Sequence, residues 1–369
     1  MAENVAPGLV VPPEPIPSPA PSIAPSNILP SVAVPILTNR FPETWISLNR
    51  WSQSNGFGGL KRISPVPTPT YVLTTTNGLL VIRAGSLSAY WDGLEFRLGY
   101  APQLIDSRPF VHTLDVQKNI LPLVSGPAGF TKTNRVIVLD PGHGGEDVGA
   151  ISIFNNRHEK VFTLDWAQRL EQLLITNGWQ VFLTRTNDRD VSLADRVAFA
   201  DQQKADLFLS LHFNSPPKPD PEPNGLETYC LTPVGMPSSL RRGFEDDSTH
   251  AFLNNTYDTQ NLQYAVRLHR ALLKVNGNVD RGVRRARFLG VLRGQNRPAV
   301  LLEGGYLSNP KEARLIADPA YRQKLAEAVA KALTAELEAR GQKSEDRSPL
   351  KNPQPSGSDL PPNEIKHEQ

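Results

Sequence analysis

From Arg135 to about residue 340, short apolar runs alternate with amphipathic stretches, and few architectures accept that alternation. The runs VIVLD (136–140), WQVFLT (179–184), LFLSL (207–211), LETYCL (226–231), LGVLR (289–293) and VLLE (300–303) have the length and composition of strands. After the first of them, Phe162, Trp166, Leu170, Leu173 and Leu174 fall on one helical face, and Asn177-Gly178 stops the pattern. Ser192 and Asp195 open a second helix with a capping-box-like start, and further helices are expected from about Asn261 and Tyr321. Strands alternating with helices predict an α/β domain: a mixed, mostly parallel sheet with helices on both faces. Ligand sites in such sheets lie at the carboxyl ends of strands.

The flanks have a different texture. Ten prolines fall between Pro7 and Pro35, and only Glu3 and Glu14 are charged before Arg40. Such a stretch has too few large apolar groups to offset the entropy of ordering, so residues 1–40 are read as a tether. Between residues 41 and 124, alternating runs broken by Asn77-Gly78 and Asp92-Gly93 predict hairpins, hence a small β-rich module before the α/β domain. Its His112 stands alone in a strand pattern and is read as a structural histidine. A linker (125–134) separates the module from the domain at 135–340, and the Ser/Pro-rich, charged residues 341–369 read as a disordered tail. Because the strand-end groups described next all follow Arg135, a fragment from residue 126 onward is expected to fold and act alone.

Composition removes several function classes. With 39 Lys+Arg against 37 Asp+Glu, a net charge of +2 argues against bulk neutralisation of nucleic-acid phosphates. The single cysteine, Cys230, excludes an intramolecular disulfide and any multi-cysteine metal site. No apolar run is long enough for a transmembrane helix.

Reactive side chains cluster where the expected strands end. His143 follows VIVLD through Pro141-Gly142, His212 follows LFLSL, and Glu303 ends VLLE ahead of Gly304-Gly305; Glu159 opens the first helix. Two histidines with one carboxylate suit zinc, leaving the fourth tetrahedral position open, and a remaining glutamate is available for proton transfer. Taken singly, each has a plainer reading: a hydrogen-bonding histidine, a carboxylate favoured by the helix dipole, a buried partner for arginine. His158-Glu159 does not begin a zincin helix, because Phe162 stands where H-E-x-x-H requires histidine.

The ordered stretches VIVLDPGHGGEDVGA, HEKVFTLDWAQRL, VFLTR, LADRVAFA, ADLFLSLHFNS, GLETYCL and AVLLEGGYLSNPKEARLI resemble the zinc-dependent N-acetylmuramoyl-L-alanine amidases, bacterial cell-wall hydrolases of the amidase-3 type. The resemblance implies Zn2+ ligation by His143, Glu159 and His212, with Glu303 as the catalytic glutamate. It also implies hydrolysis of the amide between N-acetylmuramic acid and L-alanine of peptidoglycan stem peptides. Asn214 matches an H-x-N feature and is a candidate substrate contact. The segment 71–124 resembles the copper amine oxidase N-terminal-like stalk domains found beside envelope hydrolases.

Six arginines between 281 and 297 read either as a basic rim for stem-peptide carboxylates or as a solvated surface, with Arg293 the candidate contact. Cys230 reads as a buried, inert thiol. Two further readings are a zinc peptidase cutting the stem peptide and a non-catalytic wall-binding protein; product analysis separates them from an amidase. The expected partners are peptidoglycan or muropeptides and an envelope activator, with no nucleic acid. Residues 1–35 show no basic stretch followed by an apolar one, so no signal peptide is read, although a wall substrate implies the periplasm or cell envelope.

Overall fold

A computed structural model describes residues 44–64, 68–126, 135–216, 220–240, 247–275, 277 and 279–345. The expected tether at 1–40 lies outside these, as do residues 127–134 of the expected linker and the chain after Glu345.

Fourteen strands and nine α-helices are formed among the described residues. In chain order the strands are β1 (Trp45–Ser47), β2 (Lys61–Arg62), β3 (Thr70–Thr74), β4 (Leu79–Arg83), β5 (Ser88–Trp91), β6 (Leu94–Arg97), β7 (Gln103–Ile105), β8 (Arg108–His112), β9 (Arg135–Pro141), β10 (Trp179–Leu183), β11 (Leu207–Asn214), β12 (Leu226–Cys230), β13 (Asp280–Arg285) and β14 (Ala299–Tyr306). The helices are α1 (Leu48–Ser54), α2 (Thr113–Asp115), α3 (Leu121–Val124), α4 (Glu159–Thr176), α5 (Leu193–Gln202), α6 (Asp258–Leu273), α7 (Gly290–Arg293), α8 (Pro310–Ala317) and α9 (Pro319–Glu345).

Eleven strands make one sheet in the order β10-β9-β11-β14-β12-β13-β6-β5-β4-β3-β2. The first four are parallel; β12 then runs antiparallel to β14, with β13 parallel to β12. The mixed sheet expected from sequence is therefore present. Its two faces read off the strand period of two. Ile137, Leu139, Leu207, Leu209, Leu211, Val300 and Leu302 pack on one side with the buried stripes of α4, α6 and α9. Val138, Phe208, Ala299 and Leu301 pack on the other with Ala200 of α5 and Val291 and Leu292 of α7. Burial on both faces explains why these strands are continuous apolar runs.

Helix α4 shows how local sequence sets an element. Phe162, Trp166, Leu170 and Leu174 are four apart and fully buried, and Asn177 with Gly178 (φ +77°) ends the helix as a left-handed stop. Truncating Leu170 to alanine would cost about 2–5 kcal/mol by the usual cavity argument.

Three sequence expectations change. The run 289–293 is helix α7, not a strand, and the strand is the charged segment Asp280–Arg285. A short apolar run is ambiguous without its partners; here Val291 and Leu292 fill the space under α5, while the charges of β13 find acceptors in neighbouring strands and loops. Helix α8 was not anticipated, although Asn309 caps it by accepting from Lys311 N and Glu312 N, with Pro310 at its first position. Helix α9 continues to Glu345, beyond the expected boundary at 340.

The hairpins of the β-rich segment form where Asx-Gly turns were expected. Trp91 pairs with Leu94 across Asp92 (φ +49°) and Gly93 (φ +81°), the two left-handed residues of a two-residue turn. These strands extend the α/β sheet, because β6 pairs in parallel with β13 at Phe96 and Val283. Asp280 accepts from Glu95 N (2.9 Å) across that seam, and Arg285 donates to Lys118 O (2.9 Å) and Asn119 Oδ1 (3.1 Å). His112 caps α2 by accepting from Leu114 N and stacks on Tyr100 with ring centroids 3.7 Å apart, the structural role expected for it. Among the described residues no helix is long and apolar enough to cross a membrane.

Candidate metal and catalytic site

Strands β9, β11 and β14 end together at one rim of the sheet. The chain leaving β9 turns through Pro141-Gly142 into His143, whose backbone is left-handed (φ +61°). That strained conformation is held by two buried arginines. Arg185 donates to Pro141 O (3.0 Å) and Gly142 O (2.9 Å), and Arg196 donates to Pro141 O (3.0 Å) and His143 O (2.9 Å). Arg196 is in turn paired with buried Asp140, which also accepts from Thr184 Oγ1 (2.7 Å) and Ser210 Oγ (2.8 Å). Burial opposes the Asp140 charge, but Arg196 and these hydroxyls outweigh it and hold its carboxyl below the ordinary range.

His143, Glu159 and His212 converge, each offering one ligand atom within 4.8 Å of the others. Glu159, at the first turn of α4, is buried between the imidazoles: Oε2 lies 3.1 Å from His143 Nε2 and Oε1 lies 3.0 Å from His212 Nδ1. Its oxygens also accept from Ala150 N (2.9 Å) and Phe213 N (2.9 Å). Burial works against its charge, yet hydrogen bonds from both histidines hold its carboxyl well below the usual carboxylate range. For His143, burial opposes protonation, but hydrogen bonding and ion pairing to Glu159 and Asp147 prevail and push its pKa up to about 9. Asp147 Oδ1 meets His143 Nδ1 at 2.8 Å, which directs Nε2 toward Glu159 and His212.

Two imidazoles and one carboxylate, backed by the Asp147 carboxylate on His143 and by backbone N–H donors on Glu159, match the donor set of a hydrolytic zinc site. Glycine is required beside it. A Cβ on Gly149 (φ +68°) would lie 2.6 Å from His143 Cδ2 and 2.7 Å from Glu159 Oε2. A cavity of about 410 Å³ opens at this cluster, walled by His143, His212, Asp190, Leu193 and Val291.

Glu303 follows the buried run of β14 and is the register partner of His212 on β11. Register partners on neighbouring strands project to the same face, so its carboxylate stands in the same row as the imidazole. On its other side the register partner is Glu227 of β12. Asn214, at the end of β11, donates to Glu227 Oε2 (2.9 Å). Arg293 is the exposed last residue of α7, with its guanidinium 5.2 Å from the Phe252 ring centroid. Cys230 is fully buried, and burial pushes its thiol up, as an inert core cysteine requires.

Sequence reasoning singled out His143, Glu159, His212 and Glu303, and missed Asp140, Asp147, Arg185, Arg196 and Glu227. The available signal was weak: Arg185 ends an apolar strand and Arg196 falls on the inward side of α5.

Residues 137–335 match the family described as N-acetylmuramoyl-L-alanine amidase. The chain is 32% identical over 217 residues to the N-acetylmuramoyl-L-alanine amidase AmiA of Escherichia coli, covering 53% of this chain and 74% of that protein. It is 34% identical to the N-acetylmuramoyl-L-alanine amidase LytC of Bacillus subtilis, covering 53% of this chain and 34% of LytC. The solved catalytic domain of CwlV, an N-acetylmuramoyl-L-alanine amidase of Bacillus (Paenibacillus) polymyxa var. colistinus, is 33% identical with a TM-score of 0.45, covering 55% of this chain and 98% of that one.

Proposed function

The chain belongs to the N-acetylmuramoyl-L-alanine amidase family, and from that membership we propose that it is a zinc enzyme cleaving the amide between N-acetylmuramic acid and L-alanine of peptidoglycan stem peptides. The observation that carries the reading is the convergence of His143, Glu159 and His212 within 4.8 Å, with Glu303 in register beside His212. Those three side chains would hold the Zn2+, which when bound polarises the scissile carbonyl and acidifies water. Asp147 keeps the proton of His143 on Nδ1, leaving Nε2 to donate its lone pair. The Glu303 carboxylate takes a proton from the attacking water and delivers it to the leaving nitrogen. One water is consumed, the C–N bond breaks, and a lactyl carboxylate and the free amino terminus of L-alanine are released. Arg185, Arg196 and Asp140 hold the backbone that aims His143. The substrate lies outside the cytoplasmic membrane, so the enzyme acts in the periplasm or cell envelope, and the β-rich strands before residue 124, which resemble a stalk domain, present it to the wall.

Digestion of purified muropeptides with and without chelator tests this. Mass spectrometry should find a new alanine amino terminus and a free lactyl carboxylate, lost with chelator and restored by zinc. A cut inside the stem peptide would replace the amidase by a peptidase.

A further inference from the structure

The six arginines between 281 and 297 separate into three kinds. Arg285, Arg287 and Arg297 are buried and committed to acceptors of the fold: Leu231 O and Lys118 O for Arg285, Pro233 O and Met236 O for Arg287, Gln295 Oε1 and Asp201 for Arg297. Arg293 faces Phe252. Arg281 and Arg284 instead meet at Glu227, whose backbone is in register with Glu303.

Glu227 is buried and heavily bonded. Its Oε2 accepts from Asn214 Nδ2 (2.9 Å) and Tyr229 OH (2.7 Å), and its Oε1 accepts from Arg281 Nε (2.9 Å), with Arg284 Nε at 3.5 Å. Two guanidinium charges therefore face one carboxylate that is already anchored by two neutral donors. Arg281 is further fixed by lying over the Tyr306 ring at 5.2 Å, and about a third of its side chain (33%) is exposed. With Nε spent on Glu227, its Nη1 and Nη2 edge forms no hydrogen bond among the described residues. That edge is a preformed fork for a second carboxylate. It stands two strands from Glu303, roughly 10 Å, which an extended peptide crosses in about three residues.

Resting on the amidase reading, we propose that Arg281 is a specificity-determining residue that binds a stem-peptide carboxylate on the residue following L-alanine. Glu227 acts through it as a positioning residue, holding the guanidinium with one edge outward. The substrate class is then an anionic muropeptide.

The test uses the full chain loaded with zinc and two synthetic N-acetylmuramoyl dipeptides that differ only in a free carboxylate or its carboxamide on the second residue. A charge-assisted fork should favour the carboxylate substrate by roughly 10- to 100-fold in kcat/KM. Arg281→Gln should collapse that ratio to about one, chiefly through KM, and Arg281→Lys should keep part of it. Equal cleavage of both substrates by the wild type would overturn the inference while leaving the amidase reading intact. So would a ratio that survives Arg281→Gln, since Arg281 would then serve only to neutralise Glu227. Failure of the wild type to cut the lactyl amide of either substrate would instead overturn the amidase reading.

Discussion

Gly142 and His212 are in contact so close that a Cβ on the glycine would lie 2.2 Å from Cε1 of the imidazole. The turn after β9 and the end of β11 are thus fitted to each other through a missing methyl group. Gly142→Ala must push His212 off its line with Glu159. We expect zinc content, read by atomic absorption, to fall at least tenfold while the circular dichroism spectrum stays native. Normal zinc content in the variant would show that the rim adapts and that the contact is not critical.

Glu303→Gln separates proton transfer from metal binding. Glutamine keeps the size of the side chain but cannot accept and return a proton. Turnover should fall about 10²- to 10⁴-fold with zinc content and melting temperature near normal. Zinc loss would make Glu303 a ligand, and a fall in melting temperature with undiminished turnover per folded molecule would make it a structural group.

Zinc binding should depend on pH through His143. Its pKa in the metal-free fold, about 9, is above the free value of 6.5, so protonated His143 adds stability below about pH 6.5 that is lost as pH rises through 9. Zinc must displace this proton, so its affinity should rise about tenfold per pH unit between roughly pH 7 and 9 and then level off. Asp147→Asn removes one of the charges that retain the proton and should move the plateau to lower pH. Competition titrations with a chromophoric chelator read both effects, and an affinity flat from pH 7 to 9 contradicts the assignment.

How much of this was legible in the sequence varies with range. Helix α4 could be read because Phe162, Trp166 and Leu170 state its buried face and Asn177-Gly178 its stop, all local signals. His143, His212 and Glu303 stood out as candidates because they follow apolar strand runs, and Glu159 because it opens α4. Strand β13 could not, since DRGVRR has a polar surface composition and its partners Glu227, Glu95 and Lys118 lie dozens of residues or more away. The layer behind the candidate ligand cluster was equally hidden: Arg185, Arg196 and Asp147 look like ordinary polar residues until the loop carbonyls and His143 Nδ1 they serve are located.

The seam between β6 and β13 changes the expectation for truncation. A chain starting at residue 126 would leave Arg285 without Lys118 O and Asn119, expose the β13 edge, and remove Glu95 N from Asp280. Loss of charged hydrogen bonds at a buried arginine alone should cost about 2–4 kcal/mol. The fragment should melt at least several degrees below the full chain by circular dichroism, and indistinguishable melting would make the seam energetically silent.

Strand β12 runs against its neighbour β14, and this reversal has a consequence for how the enzyme can change. Along the rim, β11 and β14 deliver His212 and Glu303 from their C-terminal halves, whereas β12 and β13 deliver Glu227 and Arg281 near their first residues. Chemistry and recognition are therefore written in different connections of the chain, one set leaving the sheet and the other entering it. On the proposed role of Arg281, substitutions at the start of β12 and β13 would retune which wall fragment is accepted without disturbing the turns that aim the histidines. Preference for a substrate and the capacity to hydrolyse it are thereby free to diverge at separate rates.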